Sequence, residues 1–162
     1  MEGTTVIIMH AISGSGKSYL SKQLHERLGS SCVLSKDNMR YIDGVYVYKP
    51  ELEAKIEQEY TALVIEALET RKYRYLILDN THVKPEALDK AVAICETYNA
   101  RYVILSIVPF IYLDIHQQRN VHSVGIQALT RQLEDWKKAE GRYKNVMMLA
   151  QPINVKYILE NI

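Results

Sequence analysis

Short apolar runs alternate along the chain with longer stretches in which apolar residues recur every three or four positions. Short runs rich in Val, Ile and Leu are typical of buried strands, whereas a spacing of three and four residues is typical of helices. The short runs predict strands at residues 6–9, 32–35, 75–78 and 102–107, and a fifth strand near residues 153–157.

The longer stretches predict the helices that connect these strands. They cover residues 17–28, 50–72, 85–99, 111–119 and 126–136. Gly29 follows the first helix as a C-terminal cap, and Pro50 and Pro85 suit the first turns of later ones. An Asp43-Gly44 turn lies in the loosely alternating segment between residues 41 and 49.

Strands that alternate with helices predict a parallel sheet with helices on both faces. The fold class is therefore α/β, with a five-stranded parallel sheet, arranged as one domain over residues 1–162 with a short helical lid at about residues 111–136. In such sheets ligands bind beyond the carboxyl ends of the strands. The segments that follow the strands should therefore hold the functional side chains.

Composition narrows the classes of protein. The chain has 162 residues, 48% of them apolar, and a net charge of +1, so a dedicated basic nucleic-acid-binding domain is excluded and any nucleic acid contact must be local. The two cysteines lie in apolar segments, which favours free thiols and a reducing cytoplasm. No apolar run reaches the roughly 18 residues of a membrane span, and Met1-Glu2-Gly3 shows no basic leader.

A glycine-rich turn stands between the first strand and the first helix. It reads Ser13-Gly14-Ser15-Gly16-Lys17-Ser18. Two glycines let successive N–H groups point into one concavity, and the helix N-terminus adds partial positive charge, so the turn suits the phosphates of ATP. In this motif the lysine reaches the β- and γ-phosphates and the Ser18 hydroxyl ligates Mg²⁺. Ala11 replaces the first glycine of the usual pattern.

Asp37 and Arg40 follow the second strand. A carboxylate at this edge can accept the proton of an attacking hydroxyl, which phosphoryl transfer requires. Arg40, three residues on, lies on the same side of a helical turn and can hold a phosphate of the acceptor. An aspartate that only caps a helix would show the same local sequence.

Asp79, Asn80 and Thr81 end the third strand. An acidic residue after an apolar strand is typical of a nucleotide site that holds Mg²⁺. Asn80 and Thr81 would position substrate or water. A loop that caps the next helix is the structural alternative.

Arg119 and Asn120 lie where the predicted helix over residues 111–119 ends and a polar linker begins. An arginine on a lid can neutralise the charge of the transferring phosphate. A solvated arginine at a helix end is the alternative reading, and His122 and Arg131 are equally compatible with plain surface positions.

These motifs resemble the bacteriophage polynucleotide kinase family. The shared elements are the loop 13–18, Lys36-Asp37-Asn38-Met39-Arg40, Asp79-Asn80-Thr81-His82 and Gln118-Arg119-Asn120. The resemblance implies that Asp37 is the general base, Arg40 grips an acceptor phosphate, Thr81 lines the acceptor site and Arg119 acts on the transferring phosphate. It implies ATP and Mg²⁺ as cofactors and a DNA or RNA 5′-hydroxyl as acceptor.

Three departures from the family are visible, and the last two leave the acceptor open. Ala11 stands in the loop, His122 is the one basic residue that soon follows Arg119, and no partner phosphatase or ligase domain, which such kinases often have, is indicated. A kinase for 5-hydroxymethyluracil bases in phage DNA would show similar motifs, as would a kinase for a nucleoside, nucleotide or sugar. A nucleotide-binding module without an acceptor is a third reading, and the oligomeric state is not indicated.

Overall fold

The computed structural model describes residues 3–162. Met1 and Glu2, on which part of the leader prediction and the start of the predicted domain rest, lie outside the described residues. No helix within residues 3–162 has both the length and the apolarity needed to cross a membrane.

The elements alternate between strands and helices, as predicted. In chain order they are β1 (Thr5–His10), α1 (Lys17–Arg27), β2 (Ser31–Leu34), α2 (Lys36–Met39), β3 (Tyr41–Ile42), β4 (Val45–Tyr46), α3 (Pro50–Thr70), β5 (Tyr75–Leu78), α4 (Pro85–Thr97), β6 (Arg101–Ile107), α5 (Leu113–Arg119), α6 (Ile126–Ala139), β7 (Val146–Leu149) and α7 (Val155–Asn161).

Five parallel strands form one sheet in the order β2-β5-β1-β6-β7. The central strand β1 is buried along its whole length, because it has a neighbour on each side and a helical layer on each face. Its side chains alternate between two cores: Val6 and Ile8 pack with residues of α3 and α4, and Ile7 and Met9 pack with residues of α1 and α7. The predicted parallel sheet, covered on both faces, is confirmed.

The predicted position of the fifth strand is wrong. The strand lies at β7, and residues 155–161 form helix α7. The alternation of apolar and polar residues from Ile153 to Tyr157 imitates a strand, but the Asn154 side chain accepts a hydrogen bond from the Tyr157 N–H at 3.2 Å and so caps a helix. That helix buries Ile158 completely in the core.

A two-stranded hairpin formed by β3 and β4 stands apart from the main sheet. Its turn is Asp43-Gly44, where the sequence predicts one, and both residues have positive φ, 50° and 81°. Two consecutive positive φ angles are what a two-residue hairpin turn with the right-handed strand twist requires. The turn pairs Tyr41 with Tyr46 and places both beside the segment that carries Asp37.

Two histidines are buried beneath the carboxyl edge of the sheet. His10 Nδ1 lies 2.8 Å from Ser106 Oγ, and the His82 ring donates from Nδ1 to the Met9 carbonyl at 2.8 Å. Burial lowers the pKa of both imidazoles to about 4, and the nearby His82 ring adds a smaller lowering to the pKa of His10. Both rings are therefore neutral in the folded protein at pH 7.

We expect the protein to lose stability as the pH falls from 7 to 5. An imidazole with a depressed pKa in the folded state stabilises the fold above its unfolded value of 6.5, and this stabilisation is lost as the pH falls toward 4. The free energy of unfolding should fall by about 2 kcal/mol per buried histidine over this interval. Urea unfolding at both pH values measures it.

His82→Asn should remove about half of this pH dependence, because it removes one of these two imidazoles. Asparagine is chosen because it tolerates the positive φ of 45° at this position. His25→Asn is the matched control, since His25 is exposed on α1. An unchanged pH dependence in His82→Asn would contradict the assignment.

Candidate active site

The glycine-rich turn has the backbone geometry of a phosphate-binding loop. Gly14 and Gly16 have φ angles of 78° and 86°, in the left-handed region that favours glycine, and α1 begins at Lys17. The first N–H groups of a helix have no partners within it, so they are available to an anion. Ala11 is completely buried, and its N–H donates to the Thr81 carbonyl at 2.9 Å, so the core accommodates its methyl group.

The Lys17 ammonium joins the loop to the end of β5. Its Nζ lies 3.3 Å from Asp79 Oδ1 and 3.2 Å from Ser18 Oγ, and both Lys17 and Asp79 are buried. The two side chains predicted as metal ligands, Ser18 and Asp79, therefore both contact the Lys17 ammonium. The geometry brings together Lys17, Ser18 and Asp79 as the sequence predicts.

The residues present fit Mg²⁺ as a nucleotide-bound ion. Within residues 3–162 no cluster of three or more His, Cys, Asp or Glu side chains could hold a metal. Mg²⁺ is usually bound by one or two carboxylates together with waters and substrate phosphates. The Ser18 hydroxyl and the Asp79 carboxylate would hold it there, and the ion would neutralise phosphate charge when bound.

Helix α5 is seated directly on the loop. A Cβ atom on Gly14 would lie 2.2 Å from the carbonyl oxygen of His116, so only glycine allows this approach. One turn on, the Arg119 side chain reaches the loop, and its Nη2 would lie 3.4 Å from a Cβ atom on Gly16. The Arg119 guanidinium also lies 5.1 Å from the centre of the Phe110 ring. The predicted lid arginine therefore faces the phosphate loop.

His116 holds the start of α5 in place. Its side chain is completely buried, and its Nε2 accepts a hydrogen bond from the Phe110 N–H at 2.9 Å. Burial is the main cause that lowers the pKa of this imidazole, and the nearby Arg119 charge acts in the same direction. The ring is a neutral structural acceptor that fixes the connection between β6 and α5.

Asp37 lies in a network of hydrogen bonds on the other side of the site. The Ser35 hydroxyl accepts from the Asp37 N–H at 3.2 Å, so Ser35 rather than Asp37 caps α2. Asp37 Oδ1 accepts from Arg40 Nη1 at 2.5 Å and from the Tyr46 hydroxyl at 3.3 Å. Burial raises the pKa of the Tyr46 phenol, and the Asp37 charge adds to the rise, so the phenol remains a donor. These donors hold the carboxylate in one orientation.

Arg40 is itself fixed by Glu53 of α3. Arg40 Nε and Nη2 donate to the two Glu53 oxygens at 2.9 Å and 2.6 Å, a bidentate pair that raises the pKa of Arg40 further. A guanidinium has five N–H groups, and three of them are used in the two contacts with Glu53 and the one with Asp37. The predicted phosphate contact of Arg40 stays a prediction that this geometry allows.

The lid connects the two sides of the site. Arg119 lies over Gly16, and three residues later His122 Nε2 lies 3.7 Å from Asp37 Oδ2. Three residues span at most about 11 Å between Cα atoms, so one short stretch of chain, residues 119–122, contacts both the loop and the Asp37 carboxylate.

A second connection runs along the sheet. The Asn80 side chain accepts from the Lys36 N–H at 2.9 Å and so links the end of β5 to the residue before Asp37. The Thr81 carbonyl accepts the hydrogen bond from the Ala11 N–H, and Thr81 is half-buried. Asn80 thus lies next to the segment that carries Asp37, and Thr81 lies next to the start of the glycine-rich loop. The substrate-binding roles predicted for both residues stay predictions.

Several residues of this site were missed or left as surface positions by the sequence analysis. Gln132 of α6 accepts from the Ser13 N–H at 2.8 Å, and Gln151 donates to the Ser15 carbonyl at 3.1 Å. Tyr46 and His122 contact Asp37 or lie beside it. The contacts of Gln132, Gln151 and His122 join residues far apart in the chain, and the Tyr46 contact depends on how the hairpin folds back on α2, so no local spacing signals them.

A cavity of about 310 Å³ opens beside the loop. Its walls are mainly apolar side chains of the connection between β6 and α5, with Ile115, Ala150 and Gln151. Because Gln151 also contacts the Ser15 carbonyl, the cavity lies next to the phosphate loop.

Comparisons with known proteins identify the family and the fold. A family model described as AAA domain matches residues 6–141, most of the chain. The human NEDD4-binding protein 2 is 27% identical over 140 residues, which cover 84% of this chain and 8% of that protein. The chain thus spans less than a tenth of the length of this curated relative.

Solved structures share the fold. A chain of the Pnkp1/Rnl/Hen1 RNA repair complex superposes with a TM-score of 0.73 at 17% identity, covering 90% of this chain and 48% of that one. Kti12 from Chaetomium thermophilum in complex with ADP-AlF3 gives 0.71 at 12% identity, covering 97% and 98%. A gluconokinase from Sinorhizobium meliloti gives 0.61 at 17% identity, covering 99% and 90%. The chain has the α/β fold of P-loop kinases.

We expect Gly14→Ala to destabilise the protein, because the new methyl group would meet the His116 carbonyl and alanine is strained at a positive φ. The free energy of unfolding should fall by about 3 kcal/mol. Gly29→Ala is the matched control, since nothing lies within 4 Å of its Cβ position. Equal stability of the two variants in urea unfolding would show that α5 is not seated on the loop.

Proposed function

The chain belongs to the AAA domain family, and from this premise we propose that it is an ATP-dependent kinase. It transfers the γ-phosphate to a hydroxyl group of a nucleic acid, most simply the 5′-hydroxyl of DNA or RNA. The observation that carries the proposal is the span of the lid: Arg119 lies over Gly16, and His122 lies beside the Asp37 carboxylate. A phosphate donor and a proton acceptor would thus face one cleft.

The loop would bind the nucleotide. Backbone N–H groups at the start of α1 and the Lys17 ammonium would hold the phosphates, and Lys17 would exchange Asp79 for phosphate oxygens. The cavity beside Gln151 would take the base, because its apolar walls suit a planar ring. Mg²⁺ held by Ser18 and Asp79 would neutralise charge on the β- and γ-phosphates.

Asp37 would act as the general base. Its Oδ1 is occupied by Arg40 and Tyr46, whereas Oδ2 accepts no hydrogen bond from the described residues. Oδ2 would take the proton of the acceptor hydroxyl while that oxygen attacks the γ-phosphorus and ADP leaves. Arg119 would neutralise the charge that builds up on the transferring phosphate.

Two observations favour a nucleic acid as acceptor. The Arg40 guanidinium lies next to Asp37 and has more N–H groups than its contacts with Glu53 and Asp37 use, which suits an acceptor that carries a phosphate near its reacting hydroxyl. The motifs are those of polynucleotide kinases, and one structural neighbour belongs to an RNA repair complex. We also propose that residues 1–162 act as one unit with the lid at about residues 111–136.

The gluconokinase neighbour makes a small-molecule acceptor the second candidate. Incubation with γ-labelled ATP and a panel of acceptors separates the two. The panel contains DNA and RNA oligonucleotides with 5′-hydroxyl ends, DNA with 5-hydroxymethyluracil, free nucleosides and gluconate. We expect label on the oligonucleotide ends. Label on gluconate or on nucleosides alone would contradict the proposal, and slow ATP hydrolysis without transfer would favour a nucleotide-binding module.

We expect Asp37→Asn to reduce phosphate transfer at least about 100-fold while ATP affinity stays unchanged, because the amide can keep contacts at one oxygen but cannot accept the proton. Transfer is measured with labelled ATP and affinity by calorimetry. Asp43→Asn is the control, since Asp43 is exposed in the hairpin turn and asparagine tolerates its positive φ. Full activity of Asp37→Asn would remove Asp37 as the base.

A further inference from the structure

Two aromatic rings lie beside the Asp37 carboxylate, one next to each of its oxygens. Tyr46 of the hairpin and His122 of the lid stack on each other, with ring centres 4.2 Å apart and planes 21° from parallel. His122 also lies 3.7 Å from Asp37 Oδ2, while the Tyr46 hydroxyl binds Oδ1. The surroundings of the proposed proton acceptor are therefore aromatic on the side that faces the lid.

Hydrogen bonds and an aromatic contact position the Tyr46 ring on the hairpin. Hydrogen bonds tie Tyr46 to Asp37, and the Val47 N–H donates to the Arg40 carbonyl at 2.8 Å. Tyr41 packs edge-on against Tyr46, with centres 5.5 Å apart, and half of its surface is exposed. The aromatic surface thus continues from the cleft out to solvent along the hairpin.

The two rings come from different elements. Tyr46 belongs to strand β4 of the hairpin, whereas His122 lies on the connection between α5 and α6, where Val121 beside it is 87% exposed. The Tyr46–His122 contact joins the lid to the hairpin across the place where an acceptor must enter to reach Oδ2. An acceptor that brings a flat ring of its own can replace this contact with an equivalent one.

We propose that Tyr46 and His122 bind the nucleobase next to the reacting hydroxyl. This inference rests on the proposed function and names the acceptor more closely: a nucleic acid end that carries a base, single-stranded so that the base is free to stack. The terminal base would lie against the Tyr46 ring, with His122 closing on its other face. Arg40, on the Asp37 side of the hairpin, would contact the neighbouring phosphate.

Stacking of this kind is insensitive to the identity of the base, because every base has a π-face, but it depends on a base being present. The acceptor preference is therefore predicted to be weak among A, C, G and T ends and strong against an abasic end. Loss of one stacking contact reduces binding roughly 5- to 150-fold.

The test compares two oligonucleotides that differ only at the 5′-terminal residue, one with a base and one with an abasic sugar, both with a 5′-hydroxyl. We expect wild type to favour the base-bearing end at least about 10-fold in kcat/KM. Tyr46→Ala and His122→Ala should each bring this ratio toward one. Tyr46→Phe should keep the ratio, because the ring remains, even though loss of the hydroxyl contact with Asp37 slows both acceptors alike.

Tyr157→Ala is the matched control, since Tyr157 is 51% exposed on α7, away from the cleft. Calorimetric ATP binding by every variant establishes that each is folded. Equal use of both ends by wild type, or a ratio that Tyr46→Ala leaves unchanged, would overturn this inference alone. Transfer to neither oligonucleotide would overturn the proposed function and this inference together.

Discussion

The Lys17 ammonium is the charge on which the arrangement of the site depends. It is buried between the Asp79 carboxylate and the Ser18 hydroxyl, and so ties the turn after β1 to the end of β5. A buried lysine without a counterion would be costly, so Asp79 stabilises the loop in the absence of nucleotide. In the proposed function a triphosphate would offer the same ammonium a stronger anionic partner, and the carboxylate would then become free for a metal ion.

Close contact between the lid and the loop is the second constraint. The His116 carbonyl lies against Gly14, where a side chain cannot fit, and this contact sets where α5 ends and where Arg119 points. His122 follows Arg119 by three residues, and its Nε2 lies 3.7 Å from Asp37 Oδ2. A glycine required by the backbone conformation of the loop is thus also required by packing of the lid. The two requirements act on the same residue, so a substitution at Gly14 would disturb both the loop and the position of α5.

The layout of the fold is largely readable from the sequence, because buried parallel strands are short apolar runs and helices repeat every three to four residues. The exception is informative: residues 153–157 alternate like a strand, yet the Asn154 cap and the burial of Ile158 make a helix there. Local motifs placed Lys17, Asp37, Asp79 and Arg119 on one edge. Gln132, Tyr46 and Glu53 could not be found this way, since their contacts depend on tertiary packing that no local spacing encodes.

A crystal structure with Mg²⁺, a non-hydrolysable ATP analogue and a short 5′-hydroxyl oligonucleotide tests the central claim most directly. The account predicts that Lys17 Nζ leaves Asp79 Oδ1 for phosphate oxygens, while the acceptor hydroxyl lies within hydrogen-bond distance of Asp37 Oδ2 and in line with the γ-phosphorus. A triphosphate bound away from Gly14 and Gly16, or an acceptor hydroxyl remote from Asp37, would contradict it.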